Sequence, residues 1–116
     1  MEYREIADNF FKYTEFFRGI KVQAQHHIPE NYIIDKYAVE SPLGTNGKFK
    51  DMKFSKLGSA VFGNVESKSA PVRFEYMNDN GYEYWSLITN RAIKKGEYLF
   101  YDGNKEAPSF TDPSRF

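Results

Sequence analysis

The chain has no cysteine and only 2 histidines among its 116 residues. Disulfides, thiolate zinc sites and a cysteine nucleophile are therefore excluded. Lack of disulfides favours a reducing compartment, so an intracellular location is expected. No apolar run approaches the ~20 residues that a membrane-crossing helix requires. The first residues are amphipathic and acidic, unlike a secretory leader. Net charge is missing too, because 16 basic residues balance 16 acidic ones. Neutrality argues against a nucleic-acid coat protein, although not against a local basic patch. His26 and His27 are adjacent, and neighbours on a strand point to opposite faces, so no metal site is expected.

Aromatic residues, by contrast, are plentiful at 18% of the chain. A single domain of this length buries roughly 65% of its unfolded surface, enough for one core without staples. Residues 2–18 predict a helix, because Tyr3, Ile6, Phe10, Tyr13 and Phe17 recur at three- and four-residue spacing. Gly19 follows as its stop. Phe11 and Phe16 fall off that stripe. They serve either a core that covers the helix on two sides or a homodimer contact.

Ile20–Gln25 and Tyr32–Val39 carry β-branched and aromatic residues and predict strands on either side of Pro29–Asn31. Ser41–Lys56 predicts a loop, with room for a short helix near its end. Leu57–Asn64 is small and apolar and is expected inside. Val72–Asn90 predicts a hairpin around Asn78-Asp79-Asn80-Gly81, since Asn and Gly tolerate positive φ. Trp85 belongs to that hairpin and is expected in the core rather than on a ligand wall. Glu97–Tyr101 is the last expected strand, and Ala107–Phe116 an irregular tail.

Two strand–turn–strand units echo one another, Val22–Tyr37 and Leu87–Tyr101. With Ile28 set over Ile93, Gln25 meets Asn90, Asn31 meets Gly96, and Ile33-Ile34 meet Tyr98-Leu99. The echo is either a chance likeness of hairpins or the mark of two units paired about a pseudo-twofold.

The stretch Thr89–Gly103, with Ile93, Gly96, Glu97, Leu99, Tyr101, Asp102 and Gly103, resembles the C-terminal signature of SET domains. Ile20–Ala24, Ile28-Pro29 and Tyr32–Ile34 resemble that family's first hairpin. Phe62-Gly63-Asn64, Pro71 and Arg73–Glu75 resemble its Asn-containing segment and following strand. The pieces run in the family's order over residues 19–104. The resemblance implies a mainly β, β-clip fold of short curved sheets around a pseudoknot, with one N-terminal helix (1–18), a core (19–104) and a tail (105–116). It also implies an S-adenosylmethionine-dependent protein-lysine methyltransferase.

The resemblance implies that Gly19, Lys21 and Asn64 bind the cofactor, that Tyr101 is catalytic and that Tyr98 contacts the substrate; Phe110 and Phe116, in the tail, either fold over the substrate-lysine channel or belong to a tail that packs on the core or stays mobile. Several positions differ from the family pattern. Phe17 replaces the first glycine of its G-x-G, Asn64-Val65 replaces Asn-His, Val72 replaces an Asn, and no Tyr separates Asp102 from Gly103. These differences leave open a SET-like module that binds a protein partner without catalysis. From the residues alone, Asn64 reads equally as a loop cap, and Tyr101 as a core tyrosine. The basic stretch Lys48, Lys50, Lys53 and Lys56 reads as an acidic-partner site or a solvated loop.

Overall fold

The computed structural model describes residues 11–16, 19–40 and 52–108. The expected helix at residues 2–10, Phe17, Lys48, Lys50, Phe110 and Phe116 lie outside them. The fold is mainly β, with several small sheets and one helix among the described residues. The strands are β1 (Phe11–Phe16), β2 (Gly19–Ala24), β3 (Ile33–Glu40), β4 (Lys53–Phe54), β5 (Val65–Glu66), β6 (Val72–Asp79), β7 (Tyr82–Thr89) and β8 (Tyr101–Asp102). The helix, α1 (Lys56–Phe62), falls between β4 and β5. Strands β4-β3-β7-β6 form an antiparallel sheet, β1 and β2 a hairpin, and β5 and β8 a short parallel pair.

The N-terminal helix is corrected at residues 11–16, which are strand β1. Each of its residues pairs with one of β2, from Phe11 opposite Ala24 to Phe16 opposite Gly19. Gly19 is therefore no helix stop; with φ +127 it opens the returning strand of the hairpin. Phe11, off the expected helical stripe, is buried in the chain's own core. That removes its share of the case for a homodimer. Period-2 alternation wins over helical spacing here because it turns Phe11 and Tyr13 together onto the core while β1 pairs along one edge of β2.

The hairpin of β6 and β7 forms as expected, in register from Val72–Thr89 to Asp79–Tyr82. Its turn places Asn80 and Gly81 at positive φ. The expected strand at Glu97–Tyr101 is shorter in fact, an isolated bridge at Tyr98 followed by β8.

The two echoing units pair, and their hydrogen bonds repeat under exchange of the units. Ile28 and Ile93 donate to each other's carbonyls at 2.9 and 2.8 Å. Asn31 N–H donates to Thr89 O at 3.0 Å, and Gly96 N–H donates to Ala24 O at 2.8 Å. Thr89 N–H donates to Tyr32 O, as Ala24 N–H does to Glu97 O. The pairing of Gln23 with Tyr98 matches that of Ile33 with Ile88. Asn31 and Gly96 both hold positive φ, at 56° and 97°, as the tight turns require.

Helix α1 starts where the loop was expected to end, and it buries Leu57, Ala60 and Val61. Ser55 caps it by accepting from Gly58 N–H at 2.9 Å, and its hydroxyl donates to the buried Asp35 carboxylate. Gly58 lies so close to β3 that an added Cβ would meet Ala38 O at 2.3 Å. Val22, Val39, Val61, Val72, Trp85, Leu87 and Ile93 fill the core, and Trp85 is inside it as expected.

Candidate functional site

The end of α1 and the second echoing unit border a half-open cavity of about 540 Å³. That lies within the range of roughly 300–1,000 Å³ typical of small-ligand sites. Its walls include Lys21 of β2, Asn64 and Val65 beyond α1, and Arg91, Glu97, Tyr98 and Phe100. Three residues expected at a site from separate motifs, Lys21, Asn64 and Tyr98, therefore meet on one cavity.

Asn64 is held on both sides. Its Nδ2 donates to Ala60 O at 2.8 Å, closing the end of α1, and to Ile20 O at 2.7 Å, tying the helix to β2. Its backbone carbonyl accepts from Tyr101 N–H at 3.1 Å. Both amide hydrogens are thus committed to backbone, and the side-chain carbonyl Oδ1 remains as an acceptor. The side chain thus caps the end of α1, as the loop-capping reading expects, and also borders the cavity.

Charge at the cavity is concentrated on the turn of the second unit. Arg91 Nη1 donates to Glu97 Oε2 at 2.6 Å, and Lys94 N–H donates to Glu97 Oε1 at 3.2 Å. The hydrogen bond from Arg91 chiefly holds the Glu97 carboxyl below its ordinary pKa. Lys21 adds a cation on the facing strand. Exposed Val65 and Tyr98, with half-buried Phe100, supply apolar wall. Lys68 Nζ lies 5.2 Å from the Phe100 ring centroid and 3.7 Å from Glu66.

Gly19 does not line the cavity. Tyr101 does not line it either; its ring is buried in an aromatic cluster. Phe62 stacks on it at 5.9 Å and Phe74 meets it edge-on at 5.2 Å. Burial raises the Tyr101 pKa above its ordinary value of 10.0. Phe74 in turn lines a second cavity of about 490 Å³, bordered by Arg73, Asn90, Asp102 and Lys105. The tyrosine thus stands between elements that wall two cavities.

Sequence reasoning did not single out Arg91, Phe100 or the Glu97 carboxylate as site residues. The available signal was the tight turn at Gly96, which brings the two ends of Arg91–Glu97 together. Among the described residues no cluster of three or more His, Asp or Glu is placed to hold a metal. No described helix is long and apolar enough to cross a membrane. No protein-family model matches this chain, and a search of curated proteins returns no match.

Proposed function

We propose that this chain is an S-adenosylmethionine-dependent protein-lysine methyltransferase of SET type. The observation that carries the reading is the meeting of Lys21, Asn64 and Tyr98 on one cavity. These positions come from three motifs far apart in sequence. The cavity chemistry fits the cofactor. Flat apolar walls suit a purine, and Lys21 and Glu97 offer both signs of charge to a zwitterionic amino-acid group. Asn64 Oδ1 offers one further acceptor.

S-adenosylmethionine, when bound, supplies a methyl group made electrophilic by its sulfonium. The chain's own residues do the rest. The β5–β8 pair fixes Asn64 against the backbone of Tyr101. Phe62 and Phe74 pack on the Tyr101 ring and fix its position, and the hydroxyl, neutral at pH 7 as a phenol ordinarily is, can exchange hydrogen bonds with an amine. Neutral tyrosine and a dry aromatic wall favour a deprotonated lysine, the form that attacks a sulfonium methyl.

Isothermal calorimetry with S-adenosylmethionine tests the reading. Binding that weakens at least tenfold in Asn64→Ala, with methyl transfer to a lysine-peptide pool, supports it. No heat at millimolar cofactor overturns it. A second reading, a SET-like module that binds a partner without catalysis, draws on the burial of Tyr101 away from the cavity lining. Tyr101→Phe separates the two: an enzyme loses turnover, whereas a binding module keeps its partner affinity.

A further inference from the structure

We propose that Tyr37, Tyr82 and Tyr84, with Glu40, form an aromatic cage for a methylated lysine side chain, in which Lys36 of the same chain is the resident occupant. The cluster lies on β3 and β7, apart from both cavities described above. Tyr37 meets Tyr84 edge-on at 4.8 Å and Tyr82 edge-on at 6.2 Å; Tyr82 and Tyr84 are 5.9 Å apart. Tyr37 stands steeply to both other rings, Tyr82 and Tyr84 are tilted by 41°, and the faces of Tyr37 and Tyr84 are turned to a single cation. One cation is already there. Lys36 Nζ lies 5.3 Å from the Tyr37 centroid and 6.0 Å from that of Tyr84, within the reach of cation–π attraction. The Tyr82 hydroxyl donates to Glu40 Oε1 at 2.9 Å, which joins a carboxylate to the ring cluster.

An irregularity in the sheet builds this cluster. Asp35 pairs with Leu87 and Val39 with Trp85, so three residues of β3, Lys36, Tyr37 and Ala38, stand opposite Ser86 alone. In a regular strand, Lys36 and Tyr37 would point to opposite faces. Here both are half-buried beside Tyr84, because the bulge re-aims one of them. Ser86 Oγ pins the bulge by donating to Lys36 O at 2.7 Å. Tyr84, almost fully buried, lies deepest in the cluster; Tyr37, Tyr82 and Glu40 are half-buried.

A bare ammonium is strongly hydrated and gains little against such rings. A methylated ammonium keeps its charge, sheds water more cheaply and fills the space between the faces. Lys36 occupies the cage because its tether gives it a high effective concentration, not because it fits best. The preference for methyl-lysine over choline rests on the methyltransferase reading, whose product carries that group. The cation site itself stands on the rings alone.

The test uses the full chain and needs no cofactor. Tyrosine ring resonances are followed by NMR during titration with N-acetyl trimethyllysine amide, its unmethylated counterpart and its uncharged carbon isostere. Lys36→Ala, which removes the resident cation, is expected to bind trimethyllysine at least tenfold more tightly than the unaltered chain. It is also expected to prefer it over both analogues. Adding Tyr37→Leu abolishes that preference; Tyr82→Leu serves if the first variant does not fold. Equal binding of trimethyllysine and its isostere by Lys36→Ala overturns the cage, as does a preference that survives loss of the ring. Tighter binding to phosphatidylcholine vesicles than to trimethyllysine overturns the assignment to a protein side chain. Failure here leaves cofactor binding at the first cavity untouched, and failure of cofactor binding leaves the ring titration intact.

Discussion

At the scale of single residues, Asn64 and Tyr101 each hold separate elements together, Asn64 through its amide and Tyr101 through its ring. Asn64→Ala removes both donors to Ala60 O and Ile20 O, leaving carbonyls at a helix end without their partner. A loss of about 1–3 kcal/mol is expected from urea unfolding, apart from any effect on ligand binding. Tyr101 titrates in the opposite sense to Glu97. Its folded pKa lies above the ordinary value of 10.0, so its neutral form supports the fold fully below that pH. The support is lost as pH rises from there through the folded pKa, because the unfolded chain ionises first. Denaturation midpoints between pH 8 and pH 11 are expected to fall less steeply in Tyr101→Phe than in the unaltered chain. The folded pKa of Glu97 lies below 4.5, so its contribution is present above that value and fades as pH drops through the folded pKa. Glu97→Gln is expected to flatten that acid limb, measured by unfolding at pH 6 and pH 3; an unchanged slope would discount the pair with Arg91.

At the scale of elements, the helix α1 and the hairpin of β1 and β2 mark where the sequence was read well and where it was not. Leu57–Asn64 was legible as buried because its side chains are small and apolar. Its helical form was not, since seven residues carry too little period to separate helix from strand. The β1 segment misled because its aromatic residues fit both a helical stripe and an alternating ladder, and only the partner strand decides. Lys21, Asn64 and Tyr98 were expected at a site only through a family resemblance, and the structure adds that all three line one cavity. Lys36 and Tyr37 were not legible as one cluster, because a bulge is a property of two paired strands. Helix α1 also supplies a sharp test. Gly58→Ala would drive a methyl into Ala38 O, so α1 must lift from β3 or shift along it. A cost of about 1–3 kcal/mol is expected in thermal unfolding, although alanine favours helix over glycine by about 1 kcal/mol. A variant as stable as the parent would mean that the contact is looser than described.

For the whole molecule, the decisive feature is the reciprocal pairing of the two echoing units. Asn31, Gly96, Ile28 and Ile93 were readable because each meets a local backbone or core need that a residue type announces. Ile28 and Ile93 are both almost wholly buried and bonded to each other through the backbone. Truncating either to Ala is expected to cost about 2–5 kcal/mol. The two costs are expected not to add, with a coupling of about 0.5–3 kcal/mol in a double-mutant cycle. Strict additivity would show that the units are independent. The same pairing bears on how the chain reaches its fold. Bonds between Ile28 and Ile93 join segments remote in sequence, so the loop between them must close before they are rewarded. Refolding should therefore be slow for a chain of this size. Amide protons of Ile28, Asn31, Ile93 and Gly96 should exchange with solvent only when the whole domain opens, and those at the Asn80–Gly81 turn much sooner.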